Sequence, residues 1–183
     1  MTFNWRLAGL LICEAAGLGA LALLVSYLPA LNPADMWSPN NLVAYGLLFA
    51  GPLLVFLPLS LVLRLGPVWL LGAGSWALLG YVLIFVPAPD RDSADFLTYV
   101  ALLALIFAAL TSLLALPMGL LGKRLLPIAG PAEVMRALRQ GGLLALFVVG
   151  LLAMSPLGLL NWLNAFLLFT IVALTEFFFL ARD

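Results

Sequence analysis

Apolar residues fall in long unbroken runs, and polar and breaker residues collect in short stretches between them. Residues 7–28 form one run of 22 with a single charge, Glu14, and Pro29 closes it. Residues 42–63 form an uncharged run of 22, with Pro52 and Pro58 inside. Residues 68–86 give 19 uncharged positions entered through Pro67, and residues 96–121 give 26, with Pro117 near the end. A helix rising about 1.5 Å per residue crosses a hydrocarbon core of about 30 Å in roughly 20 residues. Each run therefore predicts a transmembrane helix.

The last run is longer. Between Arg139 and Glu176 lie 36 uncharged residues, about 54 Å as one helix and too long for a single crossing. Its middle reads Ser155-Pro156-Leu157-Gly158, then Asn161-Trp162-Leu163-Asn164, a cluster of turn formers beside an interfacial tryptophan. The pattern predicts a tight helical hairpin, about 138–154 followed by 160–181, with its first arm short. The expected fold is all-α: a polytopic bundle of six transmembrane helices in one membrane domain, 1–183, spanning about 7–28, 42–63, 68–86, 96–121, 138–154 and 160–181.

Before the fifth helix, residues 122–140 form the longest polar connection. Pro131 suits a first helical position and Glu133 the first turn. On a wheel Glu133, Arg136, Arg139 and Gln140 share one face, and Val134, Met135, Ala137 and Leu138 the other. This predicts a short cytoplasmic amphipathic helix at the headgroup boundary, a connector or a docking surface for a partner.

Orientation follows from Lys and Arg. With both termini in the cytoplasm, Arg6, Arg64, Lys123, Arg124, Arg136, Arg139 and Arg182 fall inside and Arg91 alone falls outside. The outer loops then carry Asp35, Asp90, Asp92 and Asp95. This acidic set is too incomplete for calcium, and Asp92 or Ser93 suits capping of the fourth helix. A bacterial plasma membrane fits this arrangement.

Composition removes several classes. Hydrophobic residues make up 66% of the 183 positions and charged ones 9%, with eight Lys+Arg against eight Asp+Glu. No basic block exists for nucleic acid. There is no histidine and one cysteine, Cys13. Histidine-dependent hydrolysis, bis-histidine haem, an intrachain disulfide and cysteine metal clusters are excluded. Ser75 has no base to activate it, and the lone lysine sits at a helix end. The expectation is a protein that is not an enzyme and carries no cofactor.

Two carboxylates interrupt the apolar runs, and intramembrane charge is a functional candidate by default. Glu176 lies 18 residues after Gly158 and Arg139 lies 19 before it. In a hairpin pivoting there, the two reach similar depth and form an ion pair. Glu14 has no partner within its own helix. It meets a polar group from another helix, or is protonated and donates a hydrogen bond. Small residues line the same helix, with Gly9, Cys13 and Gly17 in one row and Ala16 and Ala20 in the next. Such rows let helices approach closely in lipid, within the chain or against another subunit.

These readings point to a non-catalytic structural or accessory subunit of a larger membrane complex, with the lipid bilayer and other membrane subunits, or further copies of itself, as partners. The alternative is a small transporter or substrate-capture component for a small, largely apolar ligand. A transporter calls for a pocket in the outer half. The polar residues available there are few: Tyr45, Ser75, Tyr81, Thr98, Tyr99 and Asn161.

Overall fold

A computed structural model describes residues 5–33, 35–86, 96–125 and 131–182, and their side chains except at 5–7, 123–125, 131–132 and 182. Regular structure among them is helical throughout: α1 (Trp5–Tyr27), a 3-10 turn (Leu28–Ala30), α2 (Pro39–Leu63), α3 (Val68–Phe85), α4 (Phe96–Leu125), α5 (Pro131–Met154) and α6 (Trp162–Arg182). Each of the six α-helices is long and apolar enough to cross a membrane, so the chain is an all-helical, polytopic membrane protein. The helices form two compact units, residues 1–105 and 106–183, with the boundary inside α4.

In the first unit α2 packs against both α1 and α3. Glycine sets the approach of α1 to α2. A Cβ on Gly17 would stand 2.8 Å from Val55 Cγ2 and 3.1 Å from the Gly51 carbonyl. Without side chains at this crossing the backbones come close, and dispersion is gained where lipid offers no hydrophobic drive. Pro52 and Pro58 lie inside α2 without ending it, as is common in membrane helices.

The polar ends of α2 are built locally. Ser38 caps its first turn by accepting from the Asn41 N–H, ahead of Pro39. Asn41 is wholly buried. Its amide donates to the carbonyls of Asn32 at 2.7 Å and Asp35 at 2.8 Å, and its Oδ1 accepts from the Asn32 N–H. One side chain thus ties the connecting loop to the helix it enters. At the far end Arg64 takes a left-handed conformation, and Leu65 folds back with its N–H on the Ser60 carbonyl.

In the second unit α5 touches the backbone of α4. A Cβ on Gly141 would stand 2.7 Å from the Ala115 nitrogen and 2.9 Å from the Thr111 carbonyl. Ala137 and Ala145, one turn to either side, are fully buried, as are Ala109 and Ala115 on α4. The α5–α6 connection turns through Gly158 at φ +66°. The Asn161 side chain then accepts from the Asn164 N–H at 2.8 Å, at the start of α6.

The amphipathic segment expected at the surface runs into the fifth span as one helix, Pro131–Met154. From Glu133 to Met154 this helix is long enough to cross a membrane, so the fifth span is not short. Proline starts it where its missing N–H is harmless. The Gly141-Gly142 pair does not break it, because Gly141 sits at the closest approach to α4.

Candidate functional site

The charged residues of α5 and α6 meet in the second unit. Arg139 Nε lies 3.4 Å from Glu176 Oε2, and both side chains are about four-fifths covered. Gln140 Nε2 donates to the other carboxylate oxygen, Oε1, at 2.8 Å. The Arg139 guanidinium also sits 4.9 Å from the centroid of the Phe179 ring, within cation–π range. Two helices that could otherwise slide in lipid are thus joined through a neutralised charge pair, an amide and an aromatic face.

Glu133 and Arg136 are placed differently from expectation. Each is only 6% exposed, whereas Met135 between them is 68% exposed. The face carrying Glu133, Arg136, Arg139 and Gln140 is therefore turned into the protein, and it is not an open docking surface for a cytoplasmic partner. Periodicity separated the two faces but not which one meets the protein. The Arg136 guanidinium packs against Gly122 of α4, in the space a side chain there would fill. Among the described residues, Glu133 Oε1 and the three guanidinium nitrogens of Arg136 have no hydrogen-bond partner.

The small residues of α1 divide. Gly17 is buried against α2; Cys13 and Ala20 are half-buried; Gly9 and Ala16 are exposed, and a Cβ on Gly9 would meet nothing within 4 Å. Gly17 therefore serves packing inside the chain. Glu14 lies one turn from it, half-buried, with Oε1 lacking a partner among the described residues. The acidic loop at 87–95 lies outside the described residues, as do the side chains of Arg6, Lys123, Arg124 and Arg182. No group of His, Cys, Asp and Glu suited to a metal ion occurs among the described residues.

The first unit holds a groove of about 530 Å³ between α2, α3 and the preceding loop. Tyr45 and Tyr81 line it side by side, ring centroids 5.9 Å apart, and both make tilted ring contacts with Phe85. The Tyr45 hydroxyl donates to the Met36 carbonyl at 3.3 Å, closing one end beneath Trp37. Gly74 and Ala77 of α3 form the floor. The lining is almost wholly apolar. Of the polar residues considered for an outer pocket, Tyr45 and Tyr81 reach it. Ser75 instead bonds within its own helix, and Asn161 caps α6.

Sequence reasoning missed this groove. Small residues recur along α3 at 72–75, 77 and 80, and the sequence does not show that Gly74 and Ala77 among them lie opposite Tyr45. Comparison with known protein families, with curated proteins and with solved structures found no match.

Proposed function

We propose that this chain is a non-catalytic integral membrane protein that acts as an accessory subunit of a larger membrane complex, in a bacterial plasma membrane with both termini cytoplasmic. The observation that supports it is the separation of charge from cavity. Arg139, Gln140 and Glu176 lie between α5 and α6, and Arg136 lies against α4. The groove is lined by apolar and aromatic residues. The polar groups hold helices together and do not surround a space where a substrate reacts. The second half of this reading, a partner, draws on α6. Among the described residues of this helix only Val172 is buried, while Phe166, Phe169, Ile171, Leu174 and Phe177 are more than half exposed. Aromatic side chains are the usual anchors of interface cores.

Cysteine cross-linking in native membranes tests it. Ile171→Cys and Leu174→Cys place thiols on the open face of α6. The expected result is a cross-linked product of one fixed mass, absent with Cys13 alone. Cross-linking to many proteins in trace amounts, or to none, would overturn the subunit reading.

A second reading, capture of a small apolar ligand, is favoured by the groove itself. Its volume falls in the range of about 300–1,000 Å³ typical of ligand sites.

A further inference from the structure

The groove has features that restrict what can fill it. The side chains at its edge, Phe49 and Leu78, are 57% and 55% exposed. They lie in helices long and apolar enough to cross a membrane, where lipid chains would surround them, so an occupant would enter sideways from the bilayer and not from water. From Tyr81 to Gly74 the groove floor runs seven residues along α3, about 10 Å at 1.5 Å per residue. That shape suits an extended chain. Trp37, 81% exposed, marks the end nearest Tyr81, and exposed tryptophan favours the headgroup level.

One polar group completes the picture. The Tyr45 hydroxyl is engaged by Met36, but the Tyr81 hydroxyl makes no hydrogen bond among the described residues. A partly covered phenol normally finds an acceptor. At the headgroup end of an apolar groove, the acceptor that lies where an extended chain begins is an ester carbonyl.

We propose that the groove holds one acyl chain of an ester-linked membrane lipid, whose carbonyl accepts a hydrogen bond from Tyr81. This rests on the apolar-ligand reading above and names its ligand class. The lipid is held by shape along Gly74 and Ala77 and fixed in depth by the tyrosine.

The test uses the full chain, delipidated in detergent and reconstituted with dioleoylphosphatidylcholine or its diether analogue, then examined by native mass spectrometry. Wild type is expected to retain one diester lipid per chain after loosely held lipid is stripped. Gly74→Leu adds bulk to the floor from a position where a Cβ meets nothing within 4 Å. It should lower retention about tenfold, which corresponds to about 1.4 kcal/mol. Gly19→Leu adds the same bulk at another open position and should retain lipid as wild type does. Tyr81→Phe keeps the groove's shape and should lower retention severalfold for the diester lipid only. Equal retention by wild type, Gly74→Leu and Tyr81→Phe would overturn the proposal. A small apolar molecule that co-purifies in place of lipid would overturn the lipid assignment and leave apolar capture standing. Nothing retained by any variant would overturn both.

Discussion

Arg139 and Glu176 stand far apart in sequence and 3.4 Å apart in space. Removing one charge leaves the other in a poorly solvated place, so each single change should cost more than removing both. Arg139→Gln and Glu176→Gln should each lower the thermal midpoint in mild detergent. The double variant should be no worse than either, with a coupling of about 1–3 kcal/mol. Additive losses would show that the two residues act separately. Gly17 makes a second residue-scale case. Gly17→Leu drives a side chain into Val55 and the Gly51 carbonyl, and overpacking of this kind costs about 1–3 kcal/mol. Gly9→Leu, in open space, should leave the midpoint unchanged. A loss for Gly9→Leu as large as for Gly17→Leu would mean that Gly9 also meets a partner.

At the scale of elements, the spans were readable because their cause is one-dimensional. An uncharged run of the right length has no stable alternative to a helix in lipid. The turn at Gly158 was readable for a similar reason, since Pro, Gly and Asn stand together in an otherwise apolar run. Gly158→Ala should cost roughly 1–2 kcal/mol, because φ +66° crowds a Cβ. An unchanged midpoint on thermal unfolding would show that the turn relaxes. What the sequence could not give was the rotation of α5. Glu133 and Arg136 share a face with Arg139, and that face suits water as well as a helix that offers partners. Its burial depends on Gly122 and Glu176, remote positions that no local period reveals. The same limit hid the seam of Ala137, Gly141 and Ala145. Small residues at fourfold spacing were read on α1 alone, yet the backbone contact on α4 is at Gly141. Gly141→Val should therefore destabilise more than Gly142→Val. At Gly142 a Cβ would have its nearest neighbour at an ordinary 3.8 Å. Equal effects in a thermal melt would contradict this packing.

At the scale of the molecule, the proposed orientation, with both termini cytoplasmic, rests on six candidate spans among the described residues and on the asymmetric distribution of Lys and Arg. A C-terminal fluorescent fusion should mature and glow, and a C-terminal phosphatase fusion that works only outside should be silent. The reverse result would invert the topology. We propose that this bundle works by association, with Arg139 and Glu176 paired between α5 and α6 and much of α6 open. The most direct measurement is native mass spectrometry of the chain extracted gently from its own membrane. The account predicts one further protein at fixed stoichiometry, still present in Gly74→Leu and lost when Phe166, Leu174 and Phe177 of α6 are changed to Ala. A lone chain that carries only lipid or a small molecule would contradict it, and would leave ligand capture as the activity of the protein.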